Sequence, residues 1–138
     1  MIIREYTGER VSNSYEVAKV LSAILDMDDE VDRDKEHFWV IGLNTKNVIK
    51  FIDLVSLGTL TNALIHPREV FRLAVMKGVC NIIAGHNHPS GDPAPSREDM
   101  AITERLKSAG DILGISVLDH VIISEGGQFV SLKDKGLL

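Results

Sequence analysis

Two histidines with one residue between them, followed by a serine and an aspartate, are the residues of this sequence best suited to bind a metal or to catalyse a reaction. They are His86, His88, Ser96 and Asp99. Histidine binds Zn²⁺ through a neutral ring nitrogen, and a carboxylate is another common zinc ligand. Three protein ligands, from His86, His88 and Asp99, would leave the fourth tetrahedral position to a water. The spacing therefore predicts a zinc centre whose bound water is a nucleophile at neutral pH.

A hydrolytic zinc centre also needs a general base and a group that supports developing negative charge. Ser96 offers a hydroxyl close in sequence to Asp99. Glu36, just before the first long predicted strand, is a candidate base from elsewhere in the chain. Judged by sequence position alone, Glu69 and Asp119 are nearly as good, so the residues leave the choice of base open.

Each of these residues also has a purely structural explanation. A serine followed three residues later by an acid, as in Ser96 and Asp99, is a capping box at a helix start. His88-Pro89 could belong to a plain turn, and a single histidine is more often a hydrogen-bonded polar residue than a ligand. We favour the metal site because two histidines, a loop rich in proline and glycine, and a serine–aspartate pair form a rare combination. Capping and metal binding are also compatible.

The elements that must position these residues follow from the hydrophobic pattern. Helices are predicted to begin near Ser14, at Pro67 and near Ser96, each with an apolar stripe behind its start. Strands are predicted at 37–43, 48–55, 58–65, 79–84, 115–124 and 128–132. The segment 85–95 holds three of the four prolines and is predicted to be a stiff loop. The pattern indicates a mixed α/β domain, a sheet with helices packed on it.

Composition restricts the class of protein. With 138 residues, 44% of them apolar, the chain resembles one globular domain. The single cysteine, Cys80, excludes an internal disulfide and a four-cysteine zinc site, and is predicted to be a small core residue. No apolar run reaches the roughly 18 residues of a membrane span, and the N-terminus lacks signal-peptide features, so a cytoplasmic location without membrane contact is expected.

The net charge of −5 arises in an acidic segment at 26–36, which is predicted to be an exposed loop. Nucleic-acid binding needs lysines and arginines concentrated on one face, and no such cluster stands out in the sequence. Direct binding of nucleic acid is therefore not expected.

The segment from His86 to Asp99 resembles the JAMM motif of JAB/MPN metalloprotease domains: His-x-His, seven residues, Ser, two residues, Asp. The run His-Asn-His-Pro-Ser-Gly-Asp at 86–92 is similar to the bacterial RadC-type branch of that family. Three further stretches are similar to the same branch: Gly58-Thr59, Pro67-Arg68-Glu69 and Asp119-His120-Val121-Ile122-Ile123. The resemblance extends from about residue 14 to about residue 132.

This resemblance implies an MPN fold, a mixed sheet flanked by helices and related to the deaminase-like α/β folds. It implies that His86, His88 and Asp99 bind Zn²⁺ and that Ser96 stabilises the tetrahedral intermediate. The general base of the family maps onto Glu36, because the sequence around it is similar to the start of the first RadC-type strand.

Two implications of the resemblance concern other parts of the chain. His120 matches a RadC-type histidine whose role stays open, and a hydrogen bond to backbone is the simplest expectation for it. Residues 1–13 are predicted to lead into a single RadC-type domain at 14–138. Longer RadC-type proteins carry an N-terminal helix-hairpin-helix region suited to DNA, and we expect that module to be absent here.

Three functions are compatible with these features. The favoured one is a zinc-dependent hydrolase that cleaves an amide bond in a peptide or an isopeptide. The alternatives are a nucleic-acid module associated with DNA repair, as the family name suggests, and a non-catalytic MPN scaffold that binds a partner protein. The complete set of candidate residues favours the hydrolase. Its substrate is not readable from the sequence, and exposed strand edges would allow a homodimer to form.

Overall fold

The computed structural model describes residues 1–58 and 64–138. The strands are β1 (Ile2–Ile3), β2 (His37–Leu43), β3 (Ile49–Leu57), β4 (Asn81–Asn87), β5 (Ser116–Ile123) and β6 (Phe129–Ser131). The helices are α1 (Ser14–Asp26), α2 (Glu30–Arg33), α3 (Pro67–Val70), α4 (Arg72–Lys77) and α5 (Arg97–Leu113), with a 3₁₀ turn at Glu125–Gly127. None of the described helices is long and apolar enough to cross a lipid bilayer.

The strands form one mixed sheet in the order β1-β3-β2-β4-β5-β6. Strand β2 runs antiparallel to both β3 and β4, while β4 and β5 are parallel and are joined through α5. Strand β6 closes one edge antiparallel to β5, and β1 pairs with β3 at the other. The predicted fold class, a mixed sheet flanked by helices, is confirmed.

Helices cover both faces of the sheet, which is why all seven residues of β2 are buried. Successive side chains of a strand point to opposite faces. Trp39 belongs to the hydrophobic cluster that includes Leu21 of α1, whereas Phe38 belongs to the cluster that includes Ile102 of α5. The domain therefore has three layers, and the two histidines of the motif lie where its central strand β4 ends.

Helix α1 confirms the helix predicted near Ser14. The side chain of Asn13 accepts a hydrogen bond from the backbone N–H of Glu16 at 2.9 Å, which caps the first turn. The predicted apolar stripe faces the sheet, with Leu21 fully buried and Leu25 half-buried at its edge. The acidic segment that follows is not only a loop, because its middle forms the short helix α2, none of whose residues is buried.

The helix predicted to begin at Pro67 forms as two short pieces, α3 and α4. The break lies at Phe71, whose backbone angles of φ −92° and ψ −6° depart from the helical values. The ring of Phe71 is almost fully buried, whereas Val75, expected on the same apolar stripe, is exposed. Gly78 ends α4 in the left-handed region, which glycine adopts without a steric penalty.

Strand β4 is shifted from its predicted position. It begins at Asn81 and extends through Asn87, because β5 pairs with it along its whole length and β2 pairs with it as far as His86. The prediction of Cys80 as a core residue was wrong: Cys80 precedes the strand and is exposed, while its neighbour Val79 is buried. The strand predicted at 58–65 falls largely on 59–63, which lie outside the described residues.

Helix α5 carries the candidate aspartate and packs closely on the start of β5 at Gly110. A Cβ atom on Gly110 would lie 2.3 Å from the backbone oxygen of Ile115. We expect Gly110→Ala to lower the free energy of unfolding by about 1–3 kcal/mol, because two backbone segments would have to separate. Urea unfolding would measure this change, with Ser108→Ala at an exposed position of the same helix as the neutral control. A Gly110→Ala chain as stable as the unchanged one would contradict this packing.

Candidate metal centre

His86, His88 and Asp99 converge at the end of β4. His86 is the next-to-last residue of β4, His88 directly follows the strand, and Asp99 lies in the first turn of α5. One possible ligand atom from each residue lies within 4.8 Å of the others. These three residues, called the ligand group below, form a constellation that could hold a metal ion.

The distances inside the ligand group are short. Nε2 of His86 lies 3.0 Å from Oδ1 of Asp99, and Nε2 of His88 lies 3.0 Å from Oδ2 of the same carboxylate. The two Nε2 atoms are 2.9 Å apart. His86 and Asp99 are buried, whereas His88 is half-buried and opens the group to solvent.

The donor set fits a divalent transition metal such as Zn²⁺. Nδ1 of His88 lies 2.8 Å from the backbone oxygen of Asp92, and since a carbonyl only accepts, Nδ1 carries the hydrogen. In neutral His88 the Nε2 lone pair then faces Asp99 and His86. Two imidazole nitrogens and a carboxylate are ligands that zinc commonly takes, and a cation among them would satisfy lone pairs that otherwise face one another.

Electrostatics in the ligand group favour a charged carboxylate. Burial alone would raise the pKa of Asp99, but the imidazoles of His86 and His88 outweigh it and hold that pKa well below its usual range. The hydrogen bond to Asp99 in turn raises the pKa of His88 above its ordinary value, against the opposing effect of burial. Protonated His88 cannot bind a cation through Nε2, so the affinity of the site for a cation falls as the pH falls.

Ser96 forms a capping box with Asp99 at the start of α5. The Ser96 hydroxyl oxygen accepts from the backbone N–H of Asp99 at 3.1 Å, and Oδ2 of Asp99 accepts from the backbone N–H of Ser96 at 2.8 Å. The same Oδ2 atom contacts His88. The structural explanation of this pair is therefore correct, and it also fixes the Asp99 carboxylate toward the histidines.

We expect Ser96→Ala to lower the free energy of unfolding by about 1 kcal/mol, because the N–H of Asp99 loses its acceptor. Thermal or urea unfolding of the metal-free chain would measure this loss. Ser96→Thr keeps the hydroxyl and should stay within a few tenths of a kcal/mol of the unchanged chain. Equal stability of the alanine variant would show that the cap contributes nothing.

Glu36 lies beside the ligand group but is not one of its three members. The side chain of Asn87, between the two histidines, accepts from the backbone N–H of His37 at 2.6 Å and donates to the backbone oxygen of Lys35 at 3.0 Å, which places Glu36 near His88. Glu36 is half-buried, and its negative charge contributes to the raised pKa of His88. The structure therefore brings Glu36 next to the site, as the resemblance implies.

The two other candidate bases have different surroundings. Glu69 is an exposed residue of α3 whose carboxylate lies 3.9 Å from the Arg72 side chain. Asp119 is buried, and its carboxylate accepts the hydroxyl of Ser131 and the backbone N–H groups of His120 and Lys133. Burial is the main reason that its pKa is raised. Asp119 thus ties β5 to the C-terminal segment.

Two further residues lie beside the ligand group: His120, whose role the sequence left open, and Thr103, which was not recognised from the sequence. The ring of His120, fully buried on β5, contacts side chains and not backbone: its Nε2 lies 2.7 Å from Nδ1 of His86, and its Nδ1 contacts the hydroxyl of Thr103. The expectation of a backbone hydrogen bond for His120 was therefore wrong. Thr103 lies one helical turn after Asp99, a spacing that could have drawn attention to it.

The fold and the ligand group together define an α/β domain of the JAB type. A family model described as "RadC-like JAB domain" matches residues 11–137, and the chain belongs to this family.

Curated relatives support this membership. A "UPF0758 protein" of Desulforamulus reducens is 51% identical over 112 residues, which cover 81% of this chain and 49% of the relative. "UPF0758 protein TTE0897" of Caldanaerobacter subterraneus subsp. tengcongensis is 57% identical over 102 residues, covering 74% of this chain and 43% of that protein. A "UPF0758 protein" of Methanococcoides burtonii is 55% identical over 104 residues, covering 75% and 45%. The chain thus spans about half the length of these relatives.

Proposed function

We propose that this chain is a zinc-dependent hydrolase that cleaves an amide bond in a peptide or an isopeptide. The observation that carries the proposal is the convergence of the ligand group, with the carboxylate of Glu36 nearby. Membership of the JAB family, which includes hydrolases, supports the same conclusion. When bound, Zn²⁺ would polarise a substrate carbonyl and lower the pKa of a coordinated water to about 7.

Metal binding, proton transfer and stabilisation of the oxyanion are assigned to different residues of the chain. His86, His88 and Asp99 hold the cation, and the half-buried position of His88 keeps one side open to substrate. The Glu36 carboxylate, outside the ligand group, takes the proton of the attacking water and returns it to the leaving amine. The Ser96 hydroxyl accepts from the backbone of Asp99 and keeps its own hydrogen to donate to the developing oxyanion.

The surface next to the site favours a protein or peptide substrate over nucleic acid. A groove of about 840 Å³ extends from His88 along α1 and α2, and its charged side chains are mostly acidic. They are Asp26, Glu30, Asp34 and Glu125, with Arg33 as the basic member. Negative charge on this wall would repel a phosphate backbone.

The proposal is tested on chain purified, stripped of metal with a chelator and reloaded with zinc. We expect about one zinc per chain by elemental analysis and zinc-dependent cleavage within a library of peptides and isopeptide-linked peptides. A chain that takes up no zinc with its ligand group intact would overturn the proposal. A zinc-loaded chain that cleaves no amide would favour the non-catalytic scaffold instead.

A further inference from the structure

Behind the ligand group, a chain of buried polar contacts leads from helix α5 to His86. The Thr103 hydroxyl lies 2.8 Å from the backbone oxygen of Asp99 and also contacts Nδ1 of His120. Nε2 of His120 then lies 2.7 Å from Nδ1 of His86. Thr103, His120 and His86 are each at most 3% exposed, so water does not compete for these hydrogen bonds.

The positions of the hydrogens in this chain of contacts follow from the backbone oxygen of Asp99 at its α5 end. A carbonyl oxygen only accepts, so the single hydroxyl hydrogen of Thr103 is donated to Asp99. The Thr103 oxygen must then accept from Nδ1–H of His120. The buried ring of His120 contacts a hydroxyl and an imidazole but no carboxylate among the described residues, so with its hydrogen on Nδ1 the neutral ring carries a lone pair on Nε2.

The lone pair on Nε2 of His120 determines which ring nitrogen of His86 carries a hydrogen. Since His120 Nε2 accepts, Nδ1 of His86 must donate, and a neutral His86 then presents its Nε2 lone pair to the ligand group. We propose that Thr103 and His120 are positioning residues, which fix the tautomer and the ring orientation of His86 so that it can bind a metal ion. The inference rests on the proposed function, since it assigns these residues a role toward the same cation.

Removing the hydroxyl should weaken metal binding without changing the ligands. Thr103→Val is a nearly isosteric change that leaves Nδ1–H of His120 without an acceptor. If His120 instead carries its hydrogen on Nε2, that hydrogen faces Nδ1–H of His86, and His86 loses its acceptor. Loss of such an outer partner of a metal-bound histidine typically reduces metal affinity about 10- to 100-fold. We expect a reduction of that size, whereas Thr103→Ser keeps the hydroxyl and should bind zinc like the unchanged chain.

The experiment combines two measurements on the chain of residues 1–138. Zinc affinity is measured by competition with a chromophoric chelator, and the protonation of each ring nitrogen of His120 is read from long-range ¹H–¹⁵N spectra of zinc-loaded chain. We expect Nδ1–H on His120 in the unchanged chain and in Thr103→Ser, and its loss in Thr103→Val. If Thr103 had only a structural role, Thr103→Val would change the melting temperature but neither the zinc affinity nor the protonation of His120.

The outcomes separate this inference from the proposed function. Equal zinc affinity in Thr103→Val and Thr103→Ser, or a hydrogen on Nε2 of His120 in the unchanged chain, would overturn the inference and leave the zinc hydrolase standing. An unchanged chain that binds no zinc would overturn the proposed function itself. Should Thr103→Val fold poorly, His120→Phe supplies a second variant, which keeps a buried ring but offers no acceptor to His86, and we expect the same weakening.

Discussion

His88→Ala is expected to bind zinc at least about a hundred-fold more weakly than the unchanged chain. Four-ligand structural zinc sites have apparent binding free energies of about 10–16 kcal/mol, so one ligand contributes roughly 3 kcal/mol, or a factor of about a hundred. His88 suits the test because it follows β4 and is only half-buried, so its removal leaves the sheet and both hydrophobic clusters intact. Elemental analysis and chelator competition would measure the loss.

His66→Ala is the matched control for this variant. His66 precedes α3 and makes no capping hydrogen bond through its side chain, and it is not a member of the ligand group. We expect its zinc content to equal that of the unchanged chain. If His88→Ala and His66→Ala retain the same zinc, the assignment of His88 as a ligand is wrong, whatever activity either variant shows.

The ligand group could be predicted from the sequence because its geometry is almost local. One residue, Asn87, lies between His86 and His88 at the end of one strand, and Asp99 follows after a loop that leads into the first turn of α5. Such a spacing is visible in one line of sequence. The cap role of Ser96 was visible for the same reason, because a capping box spans only four residues.

The surroundings of the ligand group depend on pairings that the sequence does not display. Glu36 comes near His88 because β2 pairs with β4, a strand far along the chain, and only the family resemblance distinguished Glu36 from Glu69 and Asp119. Register is set by the packing of whole strand faces, not by any single residue. Position in the chain alone therefore could not select the base.

The sequence also predicted the wrong end for β4, because residues typical of turns follow Ala84. Gly85 and the prolines after His88 indicate a turn, and the strand was accordingly predicted to stop at Ala84. Hydrogen bonding to two neighbouring strands overrides that preference and keeps His86 in the sheet. This pairing has a chemical consequence. Ala84 of β4 pairs with His120 of β5, and the imidazoles of His86 and His120 then lie close enough to hydrogen-bond.

Glu36→Gln is expected to keep the metal and to lose the amide hydrolysis proposed above. The two side chains have nearly the same size, but a glutamine amide does not accept a proton at neutral pH. Removal of a general base typically slows a reaction about 10²- to 10⁴-fold. Because Glu36 is outside the ligand group, zinc content should stay near that of the unchanged chain. The measurement is kcat/KM on the best library substrate, beside zinc content of the same sample.

Glu69→Gln is the control, since it removes an equal charge from an exposed position whose contact is with Arg72. We expect it to leave both zinc content and kcat/KM unchanged. The charge of Glu36 also raises the pKa of His88, so Glu36→Gln lets His88 lose its proton at lower pH and should extend zinc binding slightly toward acid. Full activity in Glu36→Gln would show that another group is the base, and loss of zinc would show that Glu36 supports the ligands directly. Retained zinc with a kcat/KM lowered by about 10²- to 10⁴-fold is the combination that we expect from a proton-accepting role for this carboxylate.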